Sequence, residues 1–157
     1  MKQSAKSVSA ESPAKQVAGF IAKFDSRMAK LIAEVRAALR KRFPAASELV
    51  YDNYNFFVIG FSTTERSSDC LVSLAANAQG VNLNFYYGAT LPDPGKILLG
   101  SGTQNRFIRL ESAAALARPE VEALLWAAAA QAETPLPAAG RGRIIVRAVA
   151  ARQRPRR

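Results

Sequence analysis

The chain has 157 residues, 49% of them apolar and 22% charged, and a net charge of +10. That is enough chain for one domain with a real core, and the composition is that of a globular protein. Histidine is absent and Cys70 is the single cysteine. This excludes histidine bases, Ser–His and Cys–His pairs, an internal disulfide and nearly all zinc and copper sites. A metal would have to be held by carboxylates, carbonyls and water, which suits hard cations.

The charge is uneven. Residues 1–47 hold ten Lys/Arg against three acids, residues 48–139 five against nine, and residues 140–157 seven Arg and no acid. Basic ends attract polyanions at low specificity and also keep a domain soluble. The longest all-apolar run in a candidate helix is the eight residues from Ala123 to Ala130, against about twenty for a membrane span. The lysines near the start are followed by no apolar stretch of a secretory signal. The expectation is a cytoplasmic protein with no membrane partner.

In chain order, residues 1–13 read as a disordered arm, residues 14–133 as an α/β domain, and residues 134–157 as a Pro/Arg-rich segment with a possible edge strand and a basic tail. From Ala14, Val17, Phe20, Ile21 and Phe24 fall on one helical face. Asp25 is placed to cap a second helix, whose stripe runs Met28, Leu31, Ile32, Val35, Leu39 and Phe43 and which Pro44 ends. Its far face carries Arg27, Lys30, Arg40 and Lys41. Strands follow at Leu49–Tyr51, Phe56–Ser62, Cys70–Ala76, Val81–Tyr87 and Arg106–Glu111, with a short helical turn at Lys96–Leu99 and a helix from Pro119 to about Gln131. In the fourth strand Val81, Leu83, Phe85 and Tyr87 alternate with Asn82, Asn84 and Tyr86. One wet face implies an antiparallel sheet. The predicted fold is α+β: about five antiparallel strands, two N-terminal helices and a C-terminal helix. Asn82, Asn84, Tyr86, Arg109 and Glu111 would lie on the uncovered face.

Four features carry candidate chemistry. Asp52-Asn53-Tyr54-Asn55 reads first as a hairpin turn and second as a pocket rim. Gly100-Ser101-Gly102, with Lys96, Arg106 and Arg109 nearby, could form an anion nest or a plain strand-entry loop; it fits neither the Rossmann nor the P-loop template. Glu48, Asp52, Glu65 and Asp69 could offer oxygen ligands to a cation or serve as turn formers. Cys70 follows an acid, which raises a thiol's pKa, so it reads as a small core residue.

The stretches LVYDNYNFFVIGFS, VNLNFYYGATLPDP, LLGSGTQNRFIRLES and PEVEALLWAAAAQA, in this order, resemble the YdhG-like domain-of-unknown-function family. The resemblance spans about Phe20 to Gln131 and implies a small bacterial α/β domain of the frataxin-like fold group. Some relatives are described as iron chaperones, which would make iron the cargo and Glu48, Asp52, Glu65 and Asp69 its donors. Where frataxins present an acidic ridge, the helix here presents Arg27, Lys30, Arg40 and Lys41. The leading expectation is a non-enzymatic domain binding a small polar or anionic ligand through Tyr54, Asn82, Tyr86, Gly100, Ser101, Gly102, Arg106 and Arg109. Iron delivery, and weak nucleic-acid association through the Arg tail, are the alternatives.

Overall fold

The computed structural model describes residues 11–157. The first ten residues of the expected arm lie outside this range. Helix α1 (Pro13–Ile21) is capped by Ser12, whose side chain accepts from the Lys15 amide, with Pro13 in the first turn. Helix α2 (Ser26–Arg42) is capped by Asp25, which accepts from the Met28 amide at 2.8 Å. It stops at Phe43, immediately before Pro44.

Five strands then run antiparallel: β1 (Ser47–Asp52), β2 (Phe57–Ser62), β3 (Cys70–Asn77), β4 (Gly80–Phe85) and β5 (Arg106–Leu110). Helix α3 (Pro119–Ala130) follows. A sixth strand, β6 (Ile144–Val149), returns to pair in parallel with β1, giving the order β5-β4-β3-β2-β1-β6. The sheet is therefore mixed and six-stranded, not antiparallel with about five strands. The edge strand hinted at near the C-terminal end is real, and it makes β1 an interior strand.

Cross-strand register sorts the faces. The rows Val50–Ile59–Leu74–Leu83–Ile108 and Phe57–Ala76–Val81–Leu110 point one way. They form one core with Ile32, Val35 and Leu39 of α2 and Val121, Leu124 and Leu125 of α3. Burial of this surface, at about 25 cal/mol per Å² of apolar area, drives the folding. Arg42 ties the two helices by donating to Glu122 at 2.6 Å and to the Leu116 carbonyl. The opposite face carries the rows Tyr51–Val58–Ala75–Asn82–Arg109 and Gly60–Ser73–Asn84–Phe107. The alternation expected of β4 holds from Val81 to Phe85 and then ends. Tyr87 lies beyond the strand and is exposed, not inward.

Lys96–Leu99 forms no helix. Lys96 takes a positive φ of 53°, and the Asp93 carboxylate accepts from the Ile97 and Leu98 amides, leaving those amides no part in a helical ladder. Leu99 instead bridges to Phe107 beside β5. Trp126 is half exposed on α3 and sets its ring edge-on to Phe43 at 5.5 Å. Among the described residues, no helix is long and apolar enough to cross a membrane.

Candidate functional site

Polar side chains gather at the end of β1 that meets the C-terminal segment and on the open sheet face.

At the first, Asp52 closes β1 and its side chain is fully buried. Its Oδ1 accepts from Arg156 at 2.8 Å and its Oδ2 from Lys23 at 2.7 Å. Burial alone would raise this carboxyl's pKa; hydrogen bonds from Lys23, Arg156 and Gln153 outweigh it and hold the pKa below the ordinary value. Arg156 also donates to the Asn53 carbonyl, the Arg154 amide to the Tyr54 carbonyl, and the Ala150 amide and Gln153 side chain to the Asp52 carbonyl. The Arg154 guanidinium lies over the Tyr54 ring at 5.9 Å. The turn at 52–55 is closed by the Asn53 amide donating to Phe56. It is thus a hairpin turn and also the seat on which the chain's own C-terminal segment docks. Gly142 leads the chain there, passing the Ala46 carbonyl so closely that a Cβ would clash.

The four carboxylates nominated as cation donors are spread out. Glu48 is buried and pairs with Arg36 at 2.7 Å and Arg40 at 3.3 Å. Asp52 is held as above, Glu65 pairs with Arg143 at 2.6 Å, and Asp69 accepts from the Thr64 hydroxyl. Among the described residues, no three His, Cys, Asp or Glu side chains are grouped to hold a metal ion. Four arginines of the basic tail donate to other parts of the fold: Arg156 from a buried position, and Arg143, Arg147 and Arg157 while remaining exposed.

The open face holds a cleft of about 510 Å³. Tyr51 and Tyr86 rise beside the small residues Gly60 and Ser73, with Asn84 from β4 and Gln104 and Asn105 from the loop before β5. Gly60 is required here, because a Cβ would sit 2.8 Å from the Cys70 sulfur. Cys70 is itself buried; burial first, and the Asp69 charge second among the raising influences, push its thiol up to about 11. Burial, with Cys70 and Tyr51 as neighbours, pushes the Tyr86 phenol up to about 12. Both groups are therefore protonated near neutrality.

Of the residues nominated for ligand binding, Tyr86 lines this cleft. Asn82 is on the same face, in the next row beside Arg109, outside the cleft lining. Arg109 places its guanidinium over the Phe107 ring at 5.6 Å. Arg106 donates to the Gly102 and Asn105 carbonyls, so it braces the loop rather than facing the cleft. Gly100, Ser101 and Gly102 are exposed in that loop, and Tyr54 is exposed at the docking turn. Tyr51, a strand tyrosine that the sequence allows either to line a pocket or simply to pack, does line it. Sequence reasoning missed Gly60, Ser73, Gln104 and Asn105: the first two lie on strands whose faces could be assigned only by register, and Gln104 and Asn105 lacked any recognisable pattern.

No family model, curated protein or solved structure matches this chain. The likeness to the YdhG-like family rests on the four sequence blocks alone.

Proposed function

We propose that the chain is a YdhG-like, non-catalytic binding domain whose open-face cleft takes a small, uncharged, hydrogen-bonding molecule with one flat apolar face. The observation that carries this reading is the lining. In a protein of net charge +10, the cleft presents phenols, amides and hydroxyls and no charged side chain. Neutral donors and acceptors beside aromatic rings fit a ring-bearing polar molecule and offer an anion no countercharge. Arg106 braces its own loop and neither it nor Arg109 lines the cleft, so a neutral ligand suits this lining better than an anion. The high pKa values of Cys70 and Tyr86 argue for binding over catalysis.

The test is a titration of isotope-labelled protein followed by amide and side-chain NMR, with glucose, uridine and inorganic phosphate as probes. Glucose or uridine is expected to shift the Asn84 and Gln104 side-chain amides, and Asn84→Leu to abolish the shift of the Gln104 amide. Phosphate should leave them in place. Phosphate binding in the cleft, or no response to either neutral probe, would overturn the reading.

A further inference from the structure

A second cavity, of about 310 Å³, opens between the C-terminal end of α3 and the start of β3. It shares no lining residue with the open-face cleft. Its floor is apolar, made by Leu71 and Phe85 of the sheet, Leu91 and Ala128. Its rim carries two carboxylates, Asp69 and Glu133, and no lysine or arginine lines it. Asp69 has one carboxylate oxygen engaged by Thr64, and Glu133 has no ion pair among the described residues. The volume is at the lower end of the range for ligand pockets, about 300 to 1,000 Å³.

We infer that this cavity is a binding site for a small cationic amphiphile: an amine with a compact aromatic or branched apolar body. Two features select that class together. The floor removes an apolar body from water, worth about 25 cal/mol for each Å² buried. The rim places negative charge where the ligand's head would emerge, while the rest of this basic protein repels cations. An apolar carboxylate would meet the same floor and the opposite field. Gln131 sets the mouth: its amide donates to the Tyr87 carbonyl and its oxygen accepts from Thr90, fixing the α3 end against the loop after β4. The site is thus built on helix and strand ends held in place before any ligand arrives.

The experiment is calorimetric and NMR titration of the full chain with three probes sharing one ring: 2-phenylethylamine, 2-phenylethanol and 3-phenylpropanoate. The amine is expected to bind most tightly, the alcohol more weakly and the acid least, with shifts at the Leu91 and Ala128 methyls. Glu133→Gln, an exposed change that leaves the fold intact, combined with Asp69→Asn, which keeps the acceptor for Thr64, should weaken the amine about tenfold and leave the alcohol unchanged. Ala132→Trp at the rim should block all three. If Asp69→Asn fails to fold, Glu133→Gln alone still must weaken the amine. Equal binding of acid and amine, amine binding indifferent to these variants, or no binding of any probe would overturn the assignment. Asp69, Ala132 and Glu133 are not among the residues lining the open-face cleft, so failure here and failure of the proposed function are distinguishable.

Discussion

Removing Arg156 should unfasten the C-terminal segment at a cost large enough to measure. The Arg156 and Asp52 side chains are 3% and 0% exposed, and the Arg156 Nε and Nη1 already lack partners among the described residues. Taking one partner from a buried ion pair costs about 3–5 kcal/mol, because the other charge stays behind in a poor solvent. Here Lys23 remains on Oδ2, and its side chain is 41% exposed, so it keeps Asp52 partly compensated. Arg156→Met is therefore expected to cost about 2–3 kcal/mol, the low end of that range and below it. Asp52→Ala strands Arg156 with a single acceptor, the Asn53 carbonyl, and should cost the full 3–5 kcal/mol or so. The double variant Asp52→Leu with Arg156→Met leaves no unpaired buried charge and should cost less than the two single changes added. Urea unfolding followed by circular dichroism measures all three. At about 2–4 °C per kcal/mol for a chain of this size, Arg156→Met should lower the melting temperature by roughly 4–12 °C. Hydrogen exchange adds a local readout: the Ala150 and Arg154 amides, which donate to Asp52 and Tyr54, should lose protection first. The exposed Arg152 supplies the control. If Arg156→Met and Arg152→Met both fall within about 0.5 kcal/mol of the wild type, the docking argument is wrong.

The remaining expectations use the same geometry. Gly60→Ala pushes a methyl into the Cys70 sulfur and should cost about 1–3 kcal/mol in chemical denaturation; adding Cys70→Ala should recover most of that loss, and no recovery would place the strain elsewhere. The pKa of Asp52 is lowered in the folded protein, so its contribution is complete above the unfolded carboxylate value of about 3.9 and disappears as pH falls through the folded one. Stability against pH should drop below about pH 4, and Asp52→Asn should flatten that drop; identical acid limbs for the two proteins would refute the assignment. Burial pushes the Tyr86 phenol up to about 12, so ultraviolet titration of the folded protein should show a phenol ionisation near there that is lost in Tyr86→Phe. Because this pKa is raised, its linked stability is complete below the unfolded tyrosine value of about 10 and is lost as pH rises toward the folded one.

Local chemistry made much of this protein legible as sequence. Asp25 followed by a stripe at helical spacing, and Pro44 after Phe43, set α2 almost to the residue, since caps and proline act within a turn. The alternation of Val81, Leu83 and Phe85 set β4 and its wet side, since a pleat has period two. Lys96–Leu99 misled because the competing Asp93 carboxylate is invisible to periodicity. Tertiary structure alone decided three things. Residues Ile144–Val149 became a parallel partner of β1, a pairing set by contacts nearly a hundred positions apart. The acids Glu48 and Asp52, which look in sequence like open cation donors, became buried counterions of Arg36, Arg40, Lys23 and Arg156. And the open-face cleft drew its walls from separate strands and a distant loop. A side chain's spacing along the chain fixes which face of its own element it takes; what stands opposite that face depends on how the elements meet, and no local pattern encodes it.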